Sequence, residues 1–429
     1  MNPQAEALNK VLKEQNPTIF SLLSKKGQEI FFPKKGLVMQ GQDAKSKRIN
    51  ASIGMATEDD GSPLRLNALE KLINMAPEKV FPYAPSYGLP ALRKEWKKIL
   101  REKNPSLKDT ELTLPVVSNA LTHGLSMSGY MFIDEGDKVI LPAYYWGNYK
   151  LILQNAFGAE FETYTMYDHE GFNLKGLEEK LAAPGEKKIV LLNFPNNPTG
   201  YTPTEQEMEG IAALLKDAAD RGKNIVVLVD DAYFGLVYEE GIARESIFTK
   251  LAELHKNILA VKIDGATKED YVWGFRVGFI TFSWKGMTAT AGQTLVDKAA
   301  GAIRGNISND STLSQNLLLT AYEDASYSEN KKTKYELLKS RYDLVVKTLK
   351  DHPEYSEYFT SIPFNSGYFM CVKLKTLDAE AVRQKLLNDY DTGIVALGNL
   401  IRIAYSSLPS IYIEELFANV YSACKDLQK

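Results

Sequence analysis

Short, unbroken apolar runs recur along this chain, each ending in a loop rich in Gly, Asn, Pro or Asp and each followed by helical periodicity. They are "LPVV" leading into "SNALTHG", "DKVILPAY", "KKIVLLNFPNNPTG", "NIVVLVDDAYFG" and "NILAVKIDGATK". A strand with one wet face alternates apolar and polar side chains, whereas a continuous run of Val, Ile and Leu marks a strand covered on both faces. Amphipathic stretches such as "EQEMEGIAALLKDAADRG" supply the covering helices. The pattern predicts an α/β fold: a large domain with a mostly parallel mixed sheet flanked by helices, plus a smaller α+β domain. In such a sheet ligands bind beyond the carboxyl ends of the strands. Most of the unusual residues of this chain sit there.

At 429 residues the chain is long enough for two domains with substantial cores. Residues 1–60 read as an N-terminal arm with part of the small domain and 61–322 as the large domain. Residues 323–429 read as the C-terminal small domain, because the pattern there changes to a long polar helix, "SENKKTKYELLKSRYDLVVKTLKDH". A net charge of −3 gives no reason to expect a nucleic acid or a membrane surface as partner. The first thirty residues carry charges throughout, unlike a signal peptide, and no stretch approaches the ~20 apolar residues of a membrane span. Cytoplasmic localisation is the expectation. Cys371 and Cys424 form no CxxC pair and read as reduced and structural. The 4 histidines are scattered without metal-ligand spacing, so no metal site is expected.

The strand ends carry the chemistry. "VVLVDDAYFG" drives an apolar strand into Asp230 and Asp231, and a buried carboxylate is costly unless a cation or strong donor meets it. A helix cap or an ordinary salt bridge would satisfy the same residues. "NFPNNPTGYTPTEQEM" places Asn196 and Asn197 in a turn and then opens a helix with a good cap; a well-formed loop alone would look similar. "SNALTHG" is a helix start able to offer backbone N–H groups to a phosphate, as many such turns do. "KIDGATKEDYVWGFRVGFI" sets Lys268 and, eight residues later, Arg276 around a glycine-flanked aromatic bend. A solvated lysine and a snorkelling arginine are the ordinary explanation. Together, however, these groups ask for one ligand with a phosphate, a ring nitrogen, a phenolic oxygen and an aldehyde. Pyridoxal 5′-phosphate has all four.

The residues that carry these roles resemble, in order and spacing, those of the pyridoxal-phosphate-dependent class I aminotransferases of fold type I, in the aspartate and aromatic aminotransferase branch. The markers are "NNPTGYTPTEQ", Asp230 with Tyr233, Lys268 with Arg276, "YAPSYGLPALR" from Tyr83 and "LIRIAYSS" around Arg402. The resemblance implies a transaminase that passes an amino group from an L-amino acid, aspartate or glutamate before an aromatic one, to a 2-oxo acid such as 2-oxoglutarate. It implies that Lys268 holds the cofactor and moves the proton, that Asp230 keeps the ring nitrogen protonated, and that Asn197 and Tyr233 serve the phenolic oxygen. Arg276 and the turn Ala120, Leu121 and Thr122 would hold the phosphate. Tyr83 would reach the phosphate of a neighbouring subunit, making the active form a homodimer. Trp146 aligns with the aromatic that stacks on the ring, although an ordinary core tryptophan would fit the sequence as well. Arg402 would bind the substrate α-carboxylate and Gly54 lies in the segment that closes over it. In "AIRGNISND", Arg304 matches an arginine that crosses the dimer to the distal carboxylate; a helix-end salt bridge is its competitor.

Departures from the family pattern are equally plain. Gly265 stands where a serine hydroxyl usually meets the phosphate. Glu269 and Asp270 follow the lysine where neutral residues are usual, and unless they point away they would raise its pKa. Tyr149 replaces a histidine behind Asp230, and "NDS" after Ser308 replaces a Pro-Pro pair. A lyase of the same fold would share Lys268, Asp230 and Arg276 but has less use for Arg304. A transcription regulator would need a basic N-terminal domain that the residues before Ile49 do not supply.

Overall fold

The computed structural model describes residues 1–15, 40–41, 43–52, 54, 56–62, 64–70, 75–169 and 171–428. Its centre is a seven-stranded sheet built from β1 (Val116–Asn119), β2 (Lys138–Pro142), β3 (Glu160–Tyr164), β4 (Lys187–Asn193), β5 (Asn224–Asp230), β6 (Ile258–Asp264) and β7 (Val277–Ser283). The spatial order is β1-β7-β6-β5-β4-β2-β3. β7 runs antiparallel to both of its neighbours and the remaining pairs are parallel, so the sheet is the mixed, mostly parallel one expected.

The apolar runs are unbroken because both faces are covered. Val139, Leu141, Ile189, Leu191, Leu228 and Ile263 join Leu121 and Leu125 of helix α1 (Ala120–Phe132) in one core. Ile140, Val190, Leu192, Val227 and Val229 join Ile211 and Leu215 of helix α2 (Glu205–Asp220) in another. Each such side chain stabilises the sheet by about 1.5–3 kcal/mol relative to exposure. The start of α2 is a complete capping box: the Thr204 side chain accepts from the Glu207 backbone N–H and the Glu207 carboxylate accepts from that of Thr204.

Beyond the sheet, the long polar pattern forms helix α3 (Tyr327–Asp351). It leads to a four-stranded antiparallel sheet of β8 (Phe359–Ser361), β9 (Met370–Leu374), β10 (Val395–Leu397) and β11 (Leu400–Ile403), in the order β8-β9-β11-β10. The N-terminal part returns to this end of the chain, where Ile49–Asn50 pairs parallel with Thr392–Gly393. Among the described residues no helix is long and apolar enough to cross a membrane.

Strand register decides where the chemistry gathers. Asn193 faces Asp230 across β4 and β5, Asp230 faces Ile263 across β5 and β6, and Asn119 faces Val277 across β1 and β7. The ends of four strands and the start of a fifth therefore meet at one edge.

Candidate active site

One cavity opens at that edge. It is lined by Gly54, Ala120, Leu121, Thr122, Trp146, Asn197, Asp230, Tyr233, Lys268, Arg276 and Arg402, together with Asn193, Ala232, Thr267, Trp273 and Phe369. Eleven of the thirteen residues singled out from the sequence are in the first group. The other two, Tyr83 and Arg304, lie outside this chain's own cavity; Tyr83 is 90% exposed and Arg304 is exposed on the helix Ala289–Ile307.

Asp230 sits at the cavity floor. Its Oδ2 accepts a hydrogen bond of 2.5 Å from the Tyr149 hydroxyl, and its Oδ1 accepts one of 3.2 Å from the Ala232 backbone N–H. Burial nevertheless pushes its pKa up to about 6, against the lowering effects of Tyr149 and Lys268. The tyrosine that replaces the usual histidine thus meets the same carboxylate, as a neutral donor.

Lys268 stands on a one-turn helix (Ala266–Glu269) that follows β6. Its Nζ lies 5.3 Å from the centroid of the Tyr233 ring, and its carbonyl accepts a 2.8 Å bond from the Tyr368 hydroxyl. Burial and, to a lesser degree, the Arg276 charge bring its pKa down to about 8, while Asp230 opposes them. Glu269 and Asp270 do not reach it: they face away, into ion pairs with Lys103 and Lys331.

One corner of the cavity, at Ala120 and Arg276, is shaped by backbone. Ala120 and Arg276 both adopt left-handed conformations, with φ of 58° and 56°, and the Ala120 N–H donates to the Arg276 carbonyl at 3.1 Å. Such φ values are uncommon outside glycine and gather at ligand sites. Gly278 permits this approach, since a Cβ there would meet Ala120 carbonyl carbon at 2.6 Å. Gly265 has a similar reason: a Cβ would lie 2.7 Å from the Val277 carbonyl oxygen. A serine in that position would collide with backbone. The hydroxyl of Thr267 is buried, has no hydrogen-bond partner and lines the cavity.

Arg402 closes the opposite side. It is 1% exposed, lies 4.3 Å over the Phe369 ring, and donates to Asn197 Oδ1 at 3.3 Å and to the Ser52 carbonyl at 3.1 Å. Its Nε has no hydrogen-bond partner, and no described carboxylate pairs with it. The Asn197 amide group is 3.5 Å from the Tyr233 hydroxyl, and its backbone N–H donates to Asn193 Oδ1 at 2.9 Å. The Asn193 side chain also donates to the Asp230 carbonyl at 2.8 Å, so one amide ties the asparagine turn to the aspartate strand. Sequence reading missed Asn193, Thr267, Trp273 and Phe369. For the first two a signal existed, adjacency to "FPNN" and to the lysine; Trp273 and Phe369 gave none that separates them from core aromatics.

These groups fit pyridoxal 5′-phosphate and an amino acid. A buried carboxylate, a low-basicity amine, an orphaned hydroxyl, the buried Arg402 without a carboxylate partner and Arg276 beside Asp310 converge on one cavity, and a buried cation such as Arg402 calls for an anion. Among the described residues no His, Cys, Asp and Glu cluster suits a metal ion.

Comparison with known proteins agrees with this chemistry. The family model described as aminotransferase class I and II matches residues 46–420. An aspartate aminotransferase of Bacillus sp. (strain YM-2) is 26% identical over 286 residues, 65% of this chain and 67% of that protein. A probable N-acetyl-LL-diaminopimelate aminotransferase of Bacillus subtilis is 30% identical over 203 residues, 47% of this chain and 48% of that protein. The chain thus spans about half to two thirds of these curated relatives. Among solved structures, an aminotransferase from Anaerococcus prevotii superposes with a TM-score of 0.84 at 24% identity, covering 94% of this chain and 99% of that one. The kynurenine aminotransferase of Pyrococcus horikoshii gives 0.77 at 17% identity, with 96% and 99% covered.

Proposed function

The chain belongs to the aminotransferase class I and II family, and from that premise we propose that it transfers the amino group of an L-amino acid to a 2-oxo acid with pyridoxal 5′-phosphate held at Lys268. The observation that carries this reading is the cavity in which a buried amine, a buried carboxylate, Arg276 and the buried, carboxylate-free Arg402 meet. Bound there, pyridoxal 5′-phosphate supplies an aldehyde that takes up the amino group and a ring that accepts the electron pair left when the Cα proton departs.

The protein's own groups do the rest. Lys268 Nζ takes the proton from the substrate Cα and passes it to the carbon that carried the aldehyde, a task that needs a neutral amine, and its pKa of about 8 keeps a usable fraction neutral close to physiological pH. Asp230 holds a proton at the ring nitrogen, and the Tyr149 hydroxyl holds Asp230 in place. Tyr233 and Asn197, side by side, serve the phenolic oxygen. Arg276, the Ala120–Thr122 backbone and the Thr267 hydroxyl grip the phosphate, with α1 beginning at that turn. Arg402 binds the substrate α-carboxylate as a two-pronged donor, already oriented by Phe369 and Ser52. Trp146 and Gly54 line the same cavity, where Trp146 would flank the ring and Gly54 would lie in the segment enclosing the substrate.

Aspartate and glutamate are the first-choice donors, with Arg304 of a neighbouring subunit reading the distal carboxylate and Tyr83 completing that subunit's phosphate site. The exposed positions of both residues support a homodimer with shared sites. Trp146, Trp273 and Phe369 in the lining favour an aromatic donor as the second reading. Two buried, unpaired cysteines suit a reducing compartment such as the cytoplasm. The test is borohydride reduction of the protein with bound cofactor, followed by peptide mass spectrometry, alongside a panel of amino donors against 2-oxoglutarate. An adduct on Lys268 and donor-dependent glutamate formation are expected. An adduct on another lysine, or no transfer from any donor, would overturn the proposal.

A further inference from the structure

The two residues that follow Lys268 are acids, and the fold gives each a dedicated partner set in the protein interior. Glu269 is 2% exposed and receives Lys103 Nζ on both oxygens, at 2.9 and 3.0 Å, and Lys331 Nζ at 2.8 Å. Asp270, 1% exposed, receives Lys331 at 2.9 Å and the hydroxyls of Tyr322 and Tyr327 at 2.9 and 2.7 Å. Lys103 ends the helix Pro90–Lys103 and lies 4.6 Å from the Trp96 ring centroid and 5.3 Å from that of Phe234. Lys331 belongs to α3. Two elements remote in sequence thus converge beneath the one-turn helix that carries the catalytic amine.

The remaining charges near this layer are themselves paired. Lys262, fully buried, pairs with Asp231 and lies 3.3 Å from Asp264, whose other oxygen accepts from Trp96 Nε1 at 3.1 Å. Ser246 donates to Asp231 at 2.6 Å. Lys268 itself faces Asp230, Arg276 and the Tyr233 ring. Glu269 and Asp270 are therefore the acids closest in sequence to the amine, and two lysines answer them charge for charge.

We propose that Lys103 and Lys331 are positioning residues for the amine of Lys268. They hold Glu269 and Asp270 on the far side of a single helical turn and cancel the negative charge those acids would otherwise place beside it. Without the lysines, two buried carboxylates next to Lys268 would favour its protonated form, which cannot accept a proton. This inference rests on the proposed role of Lys268, and it explains why this chain tolerates acids where its family is usually neutral. The neutrality is rebuilt through space.

The test is a charge cycle on the full chain, using Lys103→Met, Glu269→Gln and their combination, because Lys103 pairs with Glu269 alone. In cofactor-stripped protein, trace acetylation of Lys268 by acetic anhydride is followed by mass spectrometry across neutral and alkaline pH. Lys103→Met is expected to move the labelling midpoint up and Glu269→Gln to move it down, each by roughly 0.5–1 pH unit. The double variant should return towards wild type. In holoenzyme the pH titration of the cofactor absorbance should shift in the same directions. If Lys103→Met fails to fold by circular dichroism, Lys331→Met must show the same upward shift. Unmoved midpoints in folded variants, or shifts of the same sign in both single variants, would overturn the inference, since a merely structural tie has no sign. Wild type that takes no cofactor on Lys268 while the opposite shifts persist would overturn the functional reading and leave this one standing.

Discussion

The Tyr149 hydroxyl donates to Asp230 Oδ2 at 2.5 Å, with both side chains buried and 81 positions apart in the chain. A neutral phenol cannot change the charge of the aspartate's surroundings over the working pH range, because burial and the neighbouring carboxylate push its own pKa well above the ordinary value. Asp230 is therefore steadied by a hydrogen bond, without a second titrating cation.

Removing that donor leaves a buried carboxylate with only the Ala232 N–H. Tyr149→Phe should lower the stability of the protein by about 1–3 kcal/mol, the range for a lost hydrogen bond to a charged group. It should also raise the pKa of Asp230 from about 6, because the Tyr149 bond lowers it. Urea denaturation and a carboxylate titration by infrared difference spectroscopy check the two effects. An unchanged denaturation midpoint would show that a rearranged neighbour or a water molecule replaces the phenol.

Lys268 gives a pH signature without any cofactor. Its ammonium is disfavoured in the folded chain, with a pKa of about 8 against an unfolded value of 10.5. Below the folded pKa both states carry the proton, and the folded state bears the full penalty. Between about 8 and 10.5 the unfolded state binds more protons, so stability rises with pH through that window and the penalty is gone above it. Lys268→Met, which cannot titrate, should make the cofactor-free protein more stable than wild type at neutral pH, by ~1–3 kcal/mol. The gap should close as pH rises through the window. Thermal melts of both proteins over a pH series measure it, and a gap that does not depend on pH would contradict the assignment.

Gly265 should resist restoration of the family's serine. Its Cβ would lie 2.7 Å from the Val277 carbonyl oxygen and 2.8 Å from Gly278 Cα, both backbone atoms of β7. Gly265→Ser should cost about 1–3 kcal/mol, as overpacking does, and should weaken cofactor binding despite the added hydroxyl. Thr267→Val, nearly isosteric, should leave stability close to wild type and weaken cofactor affinity several-fold. Calorimetric melts and cofactor titrations separate the two, and tighter cofactor binding by Gly265→Ser would be the contrary result.

Substrate choice rests on Arg304. If it reads a distal carboxylate across a dimer, Arg304→Ala should cost ~2–5 kcal/mol with aspartate and glutamate, roughly 30-fold or more in kcat/KM. Alanine and phenylalanine should lose little. Steady-state kinetics on the four donors, with sedimentation to establish that the protein is dimeric, tests the pairing. An equal loss for all four would make Arg304 structural and remove the dicarboxylate preference.

Five strands of the central sheet, β1, β2, β4, β5 and β6, and the residues at their ends were legible in the linear chain because each rests on short-range pattern: an apolar run, a turn, then helical periodicity; β3 and β7, outside those runs, were not. Lys268, Arg276, Asp230 and the "NNPTG" turn could be read as one constellation because their order and spacing survive as motifs. What the chain could not show is how separate motifs meet. Arg402 touches Asn197 across 205 positions, and Asn193 joins the asparagine turn to Asp230 across 37, contacts created by strand register and by the second sheet folding back. The acids after Lys268 are the sharpest case. Read locally, Glu269 and Asp270 spoil the amine; in the fold, lysines 166 and 62 positions from Glu269 neutralise them on the far side of a helical turn. Direction and pairing of charge depend on which elements pack together in a low-dielectric interior, and only tertiary structure decides that.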